Sequence, residues 1–264
     1  ARFFQKRFAN TLIPYNFAVG IDGGMDFIIK SMQLSIEKYI QIPQSKGDNP
    51  TRAAVFVDLV NMFNTVSREE LLDVIREHYP ELVPLASMLY AKPGAVFYRW
   101  EDGSWRTIFM KEGVNQGCPL SALFAALVLD RVLRPLDALL RQRAAARVAS
   151  RDFGDDGYGS ITHLFGYVDD VSCCVPLVDL AFFHHNFQRL AHRLGLEFNC
   201  FKSRILTSCN GVSAIPSLMA QDAALATEVD ATIGKYLIAP TAVPGVFQKV
   251  ELTSGFRLLG TPVG

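Results

Sequence analysis

The sequence has no excess of charge of either sign. Its 264 residues include 26 lysines and arginines and 26 aspartates and glutamates, so the formal net charge is zero. Proteins that bind nucleic acid usually carry a surplus of basic residues or a basic face. Charge alone therefore does not point to a nucleic-acid partner, and a function of that kind has to be inferred from motifs.

Long apolar runs are also missing. The run from Ala122 to Leu129 is far shorter than the roughly 20 residues that a membrane-spanning helix needs. No signal peptide opens the sequence. We therefore expect no membrane partner and an intracellular location, with nucleus and cytoplasm both open.

Cysteine is scarce, and its pattern excludes a disulfide framework. Five cysteines are scattered along the chain, and Cys173 and Cys174 are adjacent in a segment that resembles a strand. A reducing compartment is the simpler interpretation. His184, His185 and His192 follow these cysteines, but the paired spacing of zinc ligands is missing, so we expect no zinc site.

Several helices are predicted by apolar spacing and capping residues. Apolar side chains recur at helical intervals over residues 25–40. Ser67 and Glu70 form a capping-box pattern, in which each side chain accepts a hydrogen bond from a free backbone N–H, so a helix should begin at about Ser67. Pro119 suits the first turn of a long helix, which Pro135 should kink or end.

Strands are predicted where apolar runs are short and bounded by turns. Residues 53–59 form a Val-rich run typical of a buried strand, with Asp58 near its end. Residues 97–100 and 105–109 flank a turn-prone segment and predict a β-hairpin. Residues 164–167 and 171–175 predict a second hairpin.

The tip of that second hairpin carries Asp169 and Asp170. An isolated Asp-Asp pair is usually only a turn. Phosphoryl transfer onto a growing chain, however, needs two divalent ions roughly 4 Å apart, and Mg²⁺ prefers oxygen ligands. Asp58, at the end of another strand, could meet the pair and complete such a site.

Five blocks of sequence, in order, resemble motifs of the reverse transcriptase family, especially those of non-long-terminal-repeat retroelements. They are residues 56–68 (first palm motif), 113–121 (with a Gln-Gly-x-Pro-x-Ser core), 165–170 (Tyr-x-Asp-Asp), 195–203 (fourth motif) and 258–264 (primer grip). Residues 12–24 resemble the finger region before the palm, with Asn16 where Gln is usual.

The resemblance implies an α/β (α+β) right-hand polymerase: a palm whose antiparallel sheet is backed by helices, partial fingers, and no thumb. The implied parts are partial fingers at 1–50, the first catalytic strand of the palm at 51–66, the fingers helix and hairpin at 67–117, and the palm through the primer grip at 118–264, with an insertion or loop at 207–250.

The resemblance also assigns the metal ligands. It implies that Asp58 and Asp169 bridge two Mg²⁺ ions, for which Mn²⁺ could substitute, and that Asp170 completes the cluster. Leu59 and Val60 would offer backbone carbonyls to the ion on the nucleotide side.

Other positions match residues that contact the nucleotide. Phe63 occupies the place of an aromatic gate that excludes a 2′-hydroxyl, although it could simply pack in the core. Gln116 and Gly117 would line the nucleotide pocket, or form only a helix-entry turn. Lys202 matches a lysine that neutralises or protonates pyrophosphate, and Asn199 could orient its segment or cap a turn.

Four basic residues are candidates for phosphate contacts, although surface arginines are common: Arg52, Arg68, Lys111 and Arg204. The implied reaction is RNA-directed DNA polymerisation, with RNA or DNA template, primer strand and deoxynucleoside triphosphates as partners; the oligomeric state is open. One alternative is an inactive element copy that only binds nucleic acid or protein. An RNA-directed RNA polymerase is disfavoured by Tyr167-Val168 before the acidic pair, where that class usually has Gly, and by the aromatic residue Phe63.

Overall fold

The structure is a computed structural model. It describes residues 2–38, 52–150, 163–176, 179–199 and 202–207, and four strands of three residues each after residue 237. Along this part of the chain, every helix is too short or too polar to span a lipid bilayer.

In chain order the helices and strands are α1 (Arg2–Leu12), α2 (Gly24–Ile36), β1 (Arg52–Val57), α3 (Met62–Thr65), α4 (Arg68–His78), α5 (Val83–Tyr90), β2 (Gly94–Arg99), β3 (Trp105–Met110), α6 (Ser121–Ser150), β4 (His163–Tyr167), β5 (Asp170–Pro176), α7 (Leu180–His192), β6 (Arg204–Thr207), β7 (Ile238–Pro240), β8 (Phe247–Lys249), β9 (Phe256–Leu258) and β10 (Thr261–Val263). A short 3-10 helix, Pro80–Leu82, precedes α5.

A four-stranded sheet in the order β4-β5-β1-β6 forms the centre of the fold. All of its strand pairs are antiparallel, and β1 lies between β5 and β6. Every residue of β1 is buried, as the apolar run predicts. The chain therefore has the predicted mixed fold, with an antiparallel sheet and helices.

Helices cover both faces of this sheet. Successive side chains of a strand point to opposite faces, so β1 contributes apolar side chains to a core on each face. Ala53, Val55 and Val57 of β1 belong to the larger core cluster, which includes residues of α4, α6 and α7. Ala54 and Phe56 point the other way, into a second cluster with the apolar side of α2. The predicted amphipathic helix is thus confirmed and covers one face.

Helix α6 does not end at Pro135, one of the two outcomes that the sequence predicts. The proline neither ends the helix nor divides it in two, and α6 runs on to Ser150. Pro135 lies on the exposed side, while Leu133, Leu136 and Leu140 are almost completely buried. Burial of these leucines on both sides of the proline offsets the cost of its missing hydrogen bond, about 3 kcal/mol.

The start of α4 confirms half of the capping box. The Ser67 hydroxyl accepts a hydrogen bond from the Glu70 backbone N–H at 3.3 Å. The Glu70 carboxylate, however, pairs with Arg131 of α6 at 2.9 Å and so ties two helices together. A distant arginine has replaced the local partner that the motif predicts.

The predicted hairpin at residues 97–109, outside the central sheet, is confirmed. Strands β2 and β3 pair over their full length, and so do β9 and β10 at the end of the chain. The β2–β3 hairpin leaves Phe97, Trp105 and Phe109 more than 60 % exposed. Of the predicted insertion at 207–250, residues 208–237 lie outside the described residues, and β7 pairs with β8 beyond them.

Candidate active site

The predicted carboxylates meet at one end of the central sheet. Val57, the last residue of β1, is paired with Val171 of β5. Continuing this register by one residue places Asp58 beside Asp170, and neighbouring strands are about 5 Å apart. Asp170 is in turn paired with Tyr167 of β4. Residues that are far apart in sequence therefore share one end of the sheet, and we call Asp58, Asp169 and Asp170 the carboxylate row.

Asp58 is held by the segment that follows α7. The Asn199 side-chain amide donates to Asp58 Oδ1 at 2.8 Å, and the Asn199 backbone N–H donates to the Asp58 carbonyl at 2.8 Å. The Asp58 N–H donates to the Ser203 hydroxyl at 3.1 Å. Asn199 therefore orients Asp58, a role beyond the two that the sequence suggested, which were to orient its own segment or to cap a turn. Ser203 was not predicted; its only sequence signal is its place beside Lys202.

Lys202 lies at the same end of the sheet. Its Nζ is 4.0 Å from Asp58 Oδ2, and the lysine side chain is 71 % exposed. An exposed pair of this length contributes little to stability. The ammonium group is therefore free to move towards a negatively charged ligand.

The turn that carries the acidic pair is strained. Val168 has a φ of 57°, in the left-handed region that β-branched residues rarely adopt. Such a backbone costs on the order of 1–3 kcal/mol, and it persists only where surrounding structure imposes it. Here the paired strands β4 and β5 impose it and fix the position of Asp169 at the tip.

The surroundings of Asp170 raise the pKa of its carboxyl group. Burial and, to a smaller extent, the negative charges of Asp169 and Asp58 together raise the pKa of Asp170 to about 6, while the positive charge of Lys202 opposes the shift. The side chains of Asp169, Asp58 and Lys202 thus all lie within electrostatic reach of Asp170. A carboxylate in this position is stabilised by any additional positive charge.

The donor set of the row fits Mg²⁺, which takes carboxylate oxygens. Among the described residues, which include the carboxylate row, no group of three or more His, Cys, Asp and Glu side chains is arranged so that it could hold a metal ion as it stands.

The turn after Asp58 packs against the predicted nucleotide-pocket segment. The Val114 N–H donates to the Phe63 carbonyl at 2.6 Å, and the Gly113 N–H donates to the Val66 carbonyl at 2.8 Å. Gly113 has a φ of 77°, and a Cβ there would lie 2.5 Å from the Asn64 backbone, so only glycine fits. Phe63 and the start of the 113–118 loop are therefore joined directly.

The predicted nucleotide contacts lie at this junction. Phe63 is half-buried on the edge of the larger core cluster, and Gln116 and Gly117 are exposed. Leu59 is buried and forms an isolated bridge with Phe198. Contact with a nucleotide stays a prediction for all of them.

Two of the four proposed phosphate contacts are wrong. Arg52 and Arg68 are only 2 % and 5 % exposed, so neither can present its guanidinium group to a phosphate at the surface. Arg204 is partly buried and donates to the Ser203 carbonyl at 2.9 Å. Lys111 is exposed.

The comparison with protein families agrees with the motifs. Residues 27–260 match the family described as "Reverse transcriptase (RNA-dependent DNA polymerase)". The chain belongs to the reverse transcriptase family. No curated protein sequence matches it significantly.

Solved telomerase structures share the fold of this reverse transcriptase chain. Apo telomerase from Candida Tropicalis truncated from its C-terminal domain is similar with a TM-score of 0.54 and 11 % identity, over 78 % of this chain and 39 % of that one. Telomerase from Candida albicans in complex with a TWJ fragment of telomeric RNA gives 0.51 and 11 %, over 78 % and 35 %. This chain thus spans little more than a third of those proteins.

Proposed function

We propose that this chain catalyses template-directed addition of deoxynucleoside triphosphates to a primer 3′ end and releases pyrophosphate. The observation that carries the proposal is the carboxylate row, which the register of β1, β4 and β5 assembles next to Lys202. Membership of the reverse transcriptase family supports the same reaction. RNA or DNA would serve as template.

In this proposal the carboxylate row holds the metal. Asp58 and Asp169 would hold two Mg²⁺ ions and Asp170 would complete their ligand set, with backbone carbonyls of Leu59 and Val60 on the nucleotide side. Bound divalent cations would lower the pKa of the attacking hydroxyl and neutralise charge on the phosphates. Asn199 keeps one oxygen of Asp58 occupied, so the other oxygen faces Lys202 and the ligand.

Selection of the nucleotide falls to the junction of α3 with the 113–118 loop. The Phe63 ring would lie under the sugar and leave no room for a 2′-hydroxyl. Gln116 would hydrogen-bond near the sugar, and Gly117, without a side chain, permits close approach of the ligand.

Lys202 would act at the leaving group. Its side chain is exposed and only loosely paired with Asp58, so it can follow the departing pyrophosphate. An ammonium group there can neutralise charge or donate a proton.

We also propose a division of the chain into fingers and palm. Residues 1–50 and 67–117 would belong to the fingers, and residues 51–66 and 118–264 to the palm. The motifs resemble those of retroelements, which supports placing the chain in such an element. The telomerase neighbour solved with an RNA fragment supports a nucleic-acid partner.

Primer extension on an RNA template tests the function. With Mg²⁺ or Mn²⁺ the wild-type protein should extend the primer, and a chelator should stop it. Asp169→Asn should lower the rate by at least about a thousandfold, because several kcal/mol of metal-dependent stabilisation are lost. An unchanged rate in Asp169→Asn, with the variant folded by circular dichroism, would remove the proposed role of the carboxylate row.

A further inference from the structure

Tyr90, at the end of α5, lies outside every motif, yet its hydroxyl reaches the 113–118 loop. The side chain is 2 % exposed. Its oxygen accepts a hydrogen bond from the Asn115 backbone N–H at 3.3 Å and lies 3.3 Å from the hydroxyl of Ser121. Nothing in the local sequence around Tyr90 predicts this contact, because its partners are at least 25 residues away.

The direction of each hydrogen bond follows from donor counting. The Ser121 hydroxyl donates to the Asn115 carbonyl at 2.6 Å, and a serine has a single proton to donate. Tyr90 must therefore donate to Ser121 while it accepts from Asn115. The three bonds form a closed ring in which both backbone groups of Asn115 are bound, and bonds in such a ring strengthen one another.

Arg68 fixes the preceding residues of the same loop. Its Nε donates to the Gly113 carbonyl at 2.8 Å, and its Nη1 donates to the carbonyls of Met110 at 2.9 Å and Lys92 at 3.2 Å. The guanidinium group lies 5.4 Å from the centre of the Tyr90 ring. One buried cation thus joins the base of the β2–β3 hairpin to the loop.

We propose that Tyr90 and Arg68 are positioning residues for nucleotide selection. Together with the Phe63 carbonyl, which binds the Val114 N–H, they fix the loop backbone from Gly113 to Asn115. They thereby set where Gln116 meets the sugar. This inference rests on the proposed function, since it assigns the nucleotide site to this junction.

Tyr90→Phe tests the proposal by removing one oxygen. We expect the KM for deoxynucleotides to rise about tenfold while kcat changes less than about twofold, because the loop contacts the nucleotide but not the reacting atoms. Incorporation of ribonucleotides relative to deoxynucleotides should rise as well. Hydrogen exchange in a peptide that covers residues 113–118 should become faster, because the Asn115 N–H loses its acceptor.

Tyr79→Phe is the matched control. Tyr79 is fully buried, and its hydroxyl bonds Thr11 at 2.6 Å, away from the loop. This variant should leave KM, sugar discrimination and exchange at 113–118 unchanged. If Tyr90→Phe gives the same values as Tyr79→Phe, the proposal is overturned.

A double variant separates positioning from general destabilisation. Because the ring acts as a unit, Tyr90→Phe with Ser121→Ala should raise KM no more than the larger single change, whereas independent contributions would multiply. Multiplying effects would contradict the proposal. If the wild-type protein extends no primer, the proposed function fails, and with it the role in nucleotide selection; the exchange comparison then still decides whether Tyr90 holds the loop.

Discussion

The carboxylate row and the 113–118 loop lie on either side of the turn after Asp58, and they are built in opposite ways. In the row, burial and like charges raise the pKa of Asp170, and the turn at Val168 is strained. In the loop, the backbone groups of Gly113 and Asn115 are matched by protein donors and acceptors.

The difference indicates how each region would work. A row of repelling carboxylates gains stability from cations, so in our proposal its geometry is completed by the metal and substrate. The loop needs nothing from outside, since the protein has already fixed its backbone. Changes in the row should therefore affect kcat, and changes near the loop should affect nucleotide choice.

Among the variants that test this comparison, Phe63→Val should have the largest effect, and the effect should be on nucleotide selection. A smaller side chain would leave room for a 2′-hydroxyl, so we expect incorporation of ribonucleotides relative to deoxynucleotides to rise by about a hundredfold. Competition between the two nucleotide types in single-nucleotide primer extension measures the ratio. Phe63→Tyr keeps the ring and should preserve the wild-type ratio. An unchanged ratio in Phe63→Val would mean that Phe63 only packs in the core.

Whether a feature could be predicted from the sequence depends on how far apart its interacting residues are along the chain. The buried strand β1, the hairpin tip at Asp169 and the Ser67 cap depend on neighbours in sequence, and periodicity or spacing predicts them. The path of α6 through Pro135 and the burial of Arg68 depend on distant partners. No local pattern carries that information.

The same limit applies within the candidate site. The Asp-Asp pair and Asp58 have recognisable contexts, so their meeting could be predicted from motif order. The hydrogen bond from Asn199 to Asp58 spans 141 residues, and the ring through Tyr90 and Ser121 depends on where α5 ends beside α6. These supporting contacts are visible only in three dimensions.

Asn199→Ala tests whether a change in the support of the carboxylate row lowers kcat. It removes a hydrogen bond of 2.8 Å to the Asp58 carboxylate, and bonds to charged groups contribute about 1.5–3 kcal/mol. We expect kcat to fall by about thirtyfold with little change in the KM for deoxynucleotides, measured by steady-state primer extension. Asn10→Ala, at an exposed position of α1, is the control. A rise in KM at constant kcat would show that Asn199 acts on nucleotide binding, as we expect of the loop, and not through the carboxylate row.

His184→Gln probes the interior beneath the row and should have the smallest effect. His184 is 5 % exposed and packs at 5.0 Å against Phe198, which bridges to Leu59. Burial, with a smaller contribution from His185, lowers the pKa of His184 to about 3. Below the pKa of an unfolded histidine, about 6.5, the unfolded chain therefore binds a proton that the folded chain does not. The wild-type protein should lose stability as the pH falls below about 6.5, by about 1.4 kcal/mol between about pH 7.5 and pH 5.5.

His184→Gln should lack this part of the acid sensitivity, whereas His192→Gln, at an exposed position, should keep it. Urea unfolding at the two pH values measures the difference. Because about pH 5.5 lies well above 3, the expected size depends almost entirely on the unfolded-state pKa and hardly on the depth of the shift. Equal pH dependence in wild type and His184→Gln would show that this histidine takes up a proton within the fold. The interior next to the carboxylate row would then contain a positively charged histidine, whereas the residues of the 113–118 loop carry no charge.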